Sequence, residues 1–172
     1  ISYNQGTRLI TDEDILESTA FVDANLARDV DTRRSVTGFI FFLGCCAISW
    51  QSKQQVSVAL SSMEAEYMAA CAASQEAIWL RRLLREFGSL FTRPFTLLED
   101  NTACISLAKN PGDFPKSKHI DVRYHFVREH VASGDIILRK VGTKDNLADV
   151  FTKPLDRSQF NTIVSNFMHH CY

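Results

Sequence analysis

The sequence is poor in the residues that mark non-globular classes. Its 172 residues include 7 Gly and 4 Pro, too few for a collagen-like, linker-like or low-complexity chain. The 5 cysteines are odd in number and follow no Cys-x-x-Cys spacing. That argues against a disulfide framework or a zinc ribbon, and for a reducing, intracellular setting. Long hydrophobic runs are missing: the longest uncharged apolar stretch, Gly38 to Trp50, has 13 residues, whereas a membrane-spanning helix needs about 20. The opening ISYNQGTRLITDED lacks the basic-then-apolar pattern of a secretory signal. No charge sign dominates, since 19 Lys and Arg against 20 Asp and Glu leave a net −1. This excludes a surface that grips nucleic acid everywhere.

What is present suits one globular domain. With 45% hydrophobic residues and 12 Phe, a single core at this length buries roughly 70% of the unfolded surface. Thr19 to Val22, Val36 to Leu43 and Ala47 to Trp50 read as three antiparallel strands, the last two a hairpin about Gly44. Ser61-Ser62-Met63-Glu64 matches a capping box, with Ser61 taking the Glu64 N–H and Glu64 reaching back. A long helix follows, its apolar positions Met63, Tyr67, Ala70, Cys71, Ile78, Leu80, Leu83 and Leu84 recurring at three and four residues, with Gly88 as its stop. Phe95 to Leu98 reads as a strand, Asn101 to Lys109 as a short helix, Ser117 to Ala132 as a helix, Ile136 to Leu138 as a strand, and Asp145 to Phe151 or beyond as a final helix. The six basic residues from Lys116 to Lys140 form a candidate local basic face.

Four acids stand beside apolar residues at strand ends or in helices: Asp23 after Phe21-Val22, Glu66 early in the long helix, Asp100 just past a buried-type strand, and Asp149 between Ala148 and Val150. Carboxylates on a buried framework repel one another and lose hydration. A divalent cation removes that cost, and clustered oxygen ligands suit Mg²⁺. Spacing alone does not make the four converge. Glu64 is explained by the capping box, and His169-His170-Cys171 lacks a partner cluster with zinc spacing.

Several blocks carry a resemblance to a known family: Asp29-Val30-Asp31-Thr32-Arg33-Arg34-Ser35-Val36-Thr37-Gly38, Ile48-Ser49-Trp50-Gln51-Ser52-Lys53-Gln54-Gln55, Leu60-Ser61-Ser62-Met63-Glu64-Ala65-Glu66-Tyr67-Met68-Ala69, Lys118-His119-Ile120-Asp121-Val122-Arg123-Tyr124-His125-Phe126 and Leu147-Ala148-Asp149-Val150-Phe151-Thr152-Lys153-Pro154-Leu155. From about residue 19 to 155 the chain resembles the ribonuclease H domain of copia-type LTR retrotransposon Pol polyproteins. The resemblance implies an α/β ribonuclease H-like fold, with a five-stranded mixed sheet of three antiparallel then two parallel strands flanked by helices. It implies that Asp23, Glu66, Asp100 and Asp149 bind two Mg²⁺ ions, with Mn²⁺ as a substitute, and hydrolyse the RNA strand of an RNA·DNA hybrid. Asn25, Leu26 and Arg28 stand where the family usually has Asp, Trp and Gly. The loop Val141 to Asn146 lacks the histidine of cellular ribonucleases H, which implies slow turnover or a substitute group.

The expected layout is an extension at 1–18 that joins an upstream polyprotein region, a ribonuclease H domain at 19–155 and a helical extension at 156–172. Expected partners are the hybrid and a reverse transcriptase domain of the same polyprotein, in the cytoplasm within a virus-like particle or in the nucleus, with no membrane. Asn101, Lys116, Lys118, His119, Arg123 and Arg128 are candidates for nucleic-acid contact, as are Arg81, Arg82 and Arg85. Two alternatives share the fold: a domesticated binding module with weak catalysis, and a DNA nuclease of the same superfamily.

Overall fold

A computed structural model describes residues 18–87, 93–110 and 118–168, with the side chains of 118–121 and 166–168 outside the description. A five-stranded sheet is built from β1 (Ser18–Asn25), β2 (Val36–Leu43), β3 (Cys46–Gln54), β4 (Phe95–Glu99) and β5 (Ile136–Lys140). The strand order is β3-β2-β1-β4-β5. β1, β2 and β3 pair antiparallel, while β4 joins β1 and β5 joins β4 in parallel. This is the mixed sheet expected from the sequence. Helices α1 (Ser62–Glu86), α2 (Thr102–Lys109), α3 (Lys118–Ala132), α4 (Asp149–Thr152) and α5 (Arg157–Met168) complete the domain.

The central strands explain their own placement. β2 is buried from Thr37 to Phe42, as a strand covered on both faces must be. On one face Ala20, Val22, Phe39, Phe41, Phe95 and Leu97 meet α1, α2 and α3 in the main core. Phe41 joins it through edge-on contacts with Phe39 and Phe95 at 5.4 and 5.3 Å between ring centres, a favoured aromatic geometry. On the other face Ile40, Phe42, Leu147 and Ile163 form a smaller cluster under α4 and α5. Gly44, at φ 59°, turns β2 into β3 through two residues. That left-handed value suits glycine in a tight hairpin.

Sequence and structure differ in detail at three places. β3 runs on to Gln54, past the expected end at Trp50, because an edge strand tolerates the polar run Gln51 to Gln54. Ser61 does accept the Glu64 N–H, at 3.1 Å, but the Glu64 carboxylate takes the Leu60 N–H at 2.8 Å, one residue before the cap. The last expected helix is split into a 3₁₀ turn at Thr143–Asp145, the one-turn α4, and α5. The split falls where Asn146 spends its side chain on the backbone, donating to the Val22 carbonyl at 2.8 Å and accepting from the Ala148 N–H at 3.1 Å. The expected helix stop at Gly88 lies outside the described residues.

Candidate metal centre at the end of the parallel strands

Three of the four acids singled out by sequence meet in space. Asp23 sits on β1, Glu66 in the second turn of α1, and Asp100 directly after β4. One carboxylate oxygen from each lies within 4.8 Å of the others. Local chain direction explains the meeting: β1 and β4 are parallel neighbours, so their carboxyl ends open at one edge, against which the start of α1 is packed. Asp23 and Glu66 are buried, at 4% and 7% exposed, and Asp100 is half-buried.

Asp149 is brought to the same end but does not join the three. It is 2% exposed, and its Oδ1 lies 2.7 Å from the Lys153 ammonium. Its approach depends on Gly38, the register partner of Asp23. A Cβ at Gly38 would fall 2.6 Å from Thr152 Cγ2 and 2.9 Å from Phe151 Cβ. Only a bare backbone lets α4 lie this close to the sheet. Thr152 then ties the two halves of the site together. Its hydroxyl donates to Asp23 Oδ2, and its carbonyl accepts from Arg28 at 2.6 Å and Asn25 at 3.4 Å. Asn25 and Arg28, two of the departures from the family pattern, therefore brace the site from beneath.

The electrostatics are those of a centre short of cations. Burial raises the Asp23 carboxyl above its ordinary range, opposed by the Thr152 hydrogen bond and the Lys153 charge. Burial pushes Glu66 far up, reinforced by Glu99, Asp23 and Asp100. Sequence reasoning missed Glu99. This residue is fully buried at 0% exposure, and burial raises its carboxyl too, with the charges of Asp100 and Asp23 adding to the effect. Glu99 Oε1 accepts the Asn101 N–H at 3.1 Å. Glu99 Oε2 and Glu66 Oε2 are buried with no hydrogen-bond partner among the described residues. The signal for Glu99 lay in the two-residue period of its strand, since Phe95 and Leu97 are buried at alternate positions and Glu99 is the next one on.

The nucleic-acid candidates have mixed fates. Asn101 caps α2, its amide oxygen accepting from Ala103 and Cys104 N–H at 3.0 and 3.1 Å. Arg123 is half-buried against Met68 and Ser57, and Arg128 stacks 4.9 Å from the Tyr124 ring centre. Arg81 is bound to Asp135 at 2.6 Å. Arg82 and Arg85 are exposed on α1. Lys116 lies outside the described residues, as do the side chains of Lys118 and His119.

Among orphaned buried carboxylate oxygens, oxygen-only donors and converging negative charge, a hard divalent cation is the group that fits. No family model matches the chain. It is 44% identical over 140 residues to the retrovirus-related Pol polyprotein from transposon TNT 1-94 of Nicotiana tabacum, and 42% identical over 146 residues to that from transposon RE1 of Arabidopsis thaliana. These matches cover 81% and 85% of the chain but 10% of each relative, so the chain spans about a tenth of their length. Among solved structures, LC11-RNase H1, isolated from compost, superposes with a TM-score of 0.58 at 13% identity, over 87% of this chain and 99% of that one. The foamy viral protease-reverse transcriptase in complex with RNA/DNA hybrid gives 0.57 at 13% identity, over 88% of this chain and 21% of that one. By sequence and by fold together, the chain belongs with the retrovirus-related Pol polyproteins of transposons, as a ribonuclease H-like domain.

Proposed function

We propose that this chain is a metal-dependent endoribonuclease that hydrolyses the RNA strand of RNA·DNA hybrids during reverse transcription of a copia-type retrotransposon. The observation that carries the reading is the convergence of Asp23, Glu66 and Asp100 within 4.8 Å, beside a fully buried Glu99 and an Asp149 held by a lysine. Such a concentration of negative charge is costly unless a cation is its purpose. Asp23, Glu66, Asp100 and Asp149 would hold two Mg²⁺ ions, or Mn²⁺ in their place. When bound, the ions would supply an activated water and charge neutralisation at the phosphodiester.

The chain's own contribution is preorganisation. The Thr152 hydroxyl fixes the rotamer of Asp23. The α2 cap on Asn101 holds the backbone directly after Asp100. Glu99 stands directly before Asp100 without reaching solvent. Discrimination for RNA would rest on 2′-hydroxyls and groove shape, with Lys116, Lys118, His119, Arg123 and Arg128 at the phosphates. In keeping with this, RNA/DNA hybrid is bound in solved complexes of LC11-RNase H1 and of the foamy viral protease-reverse transcriptase. The reading extends to a reverse transcriptase domain of the same polyprotein as partner, to work inside cytoplasmic virus-like particles, and to a layout of 19–155 as the catalytic unit with extensions on either side.

The test is cleavage of strand-labelled hybrid, duplex DNA, duplex RNA and single-stranded RNA with and without Mg²⁺. The expected result is cutting of the RNA strand of the hybrid alone, and only with the ion. Cutting of duplex DNA at a comparable rate would favour a DNA nuclease, and hybrid binding without cleavage a domesticated module.

A further inference from the structure

We propose that Lys153 is a built-in cation for Asp149, one that holds this carboxylate in the metal-free protein and gives it up when a divalent ion binds. The proposal rests on the metal-centre reading above and adds a positioning residue to it.

The ion pair is lopsided. The Asp149 side chain is 3% exposed while that of Lys153 is 34% exposed, with 2.7 Å between Nζ and Oδ1. A sealed carboxylate left without a cation is strongly unfavourable, so in the absence of metal the lysine supplies its counter-charge. The same ammonium feels more than one acid. The charges of Asp23 and Asp100 act on it as well as that of Asp149. Lys153 is thus one positive charge set among carboxylates that would otherwise repel. It occupies the carboxylate that the three-acid cluster lacks.

The backbone around it cannot give way. Arg28 and Asn25 hold the Thr152 carbonyl, Asn146 clamps the entry to α4, and Gly38 leaves no room between α4 and β2. What remains free is the lysine stem. It lines an open hollow of about 380 Å³ with Arg28, Ser52, Phe151 and Pro154, which offers the ammonium a solvated place to turn into. A flexible four-carbon stem permits that swing. An ion carrying two charges outcompetes one ammonium for the same oxygens, so the lysine is a competitor whose removal tightens metal binding.

The experiment is calorimetric titration of Mg²⁺ into the native protein, Lys153→Met, Lys153→Arg and Asp149→Asn without nucleic acid, alongside melting temperatures. Lys153→Met should lower the half-saturating Mg²⁺ concentration about tenfold, the factor equivalent to about 1.4 kcal/mol. It should also melt below the native protein in EDTA and gain more on adding Mg²⁺. Lys153→Arg should stay within about threefold of native, because the charge is retained. Placed on the Asp149→Asn background, Lys153→Met should change Mg²⁺ affinity little, as a double-mutant cycle requires when one residue acts through the other. Lys153→Gln serves as a second uncharged variant and should repeat the Met result. If both uncharged variants bind Mg²⁺ as the native protein does, or more weakly, the lysine is not a competitor and the proposal falls while the metal centre stands. If the native protein binds no Mg²⁺, the metal reading falls and this proposal with it.

Discussion

Asp135 and Glu99 are two acids at opposite ends of parallel strands, and the protein treats them in opposite ways. Asp135, directly before β5, is half-exposed and has three partners: Arg81 at 2.6 Å, Ser133 at 2.7 Å and His130 at 3.0 Å. His130, then Ser133 and Arg81, hold its carboxyl down to about 2. Glu99, at the far end of the neighbouring strand, is sealed from water among other acids, with one oxygen unpartnered and its carboxyl pushed up. A structural acid is given donors. An acid left without them at the carboxyl end of the sheet is waiting for positive charge from outside the chain.

The comparison breaks most visibly at Asp23. Asp23→Asn should abolish Mg²⁺-dependent cleavage in the strand-labelled assay. Without metal it should leave the protein as stable as the native chain or more stable by about 1 kcal/mol, the order of one pKa unit. The amide oxygen still accepts the Thr152 hydroxyl while one repelling charge is gone. A variant that melts well below native in EDTA would make Asp23 a structural acid like Asp135.

Arg81→Met tests the other end. It removes one of the three partners of Asp135 and should cost about 0.5–1 kcal/mol by chemical denaturation at neutral pH, modest because the carboxylate is half-exposed. The sign with pH follows from the lowered carboxyl. The Asp135 contribution is full above the unfolded value near ~4 and fades as pH falls toward about 2, so the variant and native curves should merge in acid.

Glu99→Gln should show the opposite sign, with an effect of similar size. A carboxyl raised in the folded state favours folding at low pH, where it is protonated, and this contribution is lost as pH rises through its folded value. In EDTA, Glu99→Gln should match the native protein near pH 4 and exceed it by about 1 kcal/mol at pH 8, where only the native chain must ionise a buried group. Equal stabilities at both values would mean that water or an unseen donor already satisfies Glu99.

How much of this was legible beforehand follows from what each part depends on. The strands and α1 carried period and capping signals that depend on near neighbours, and Ser61, Gly44 and most of the apolar face of α1 took the expected places, while Leu83 is exposed and Ile78 only partly buried. Asp23, Glu66 and Asp100 were marked as acids at strand ends or in helices, but their convergence comes from the parallel pairing of β1 with β4, a long-range fact that no spacing encodes. Lys153 and Thr152 carry no local signal of their roles, because these arise from contacts with residues more than a hundred positions away or from a one-turn helix too short for a periodic pattern. The polar tail of β3 escaped notice because an edge strand needs no apolar alternation.

The central claim is that the acid cluster exists to hold divalent cations. Melting temperature measured against Mg²⁺ concentration, for the native protein and Asp23→Asn, tests it most directly, because an ion that binds only the folded site adds about 2.7 kcal/mol at a hundredfold excess over its dissociation constant. The account predicts a saturable rise for the native protein and little or none for the variant. Equal rises in both, or no rise in either, would contradict it.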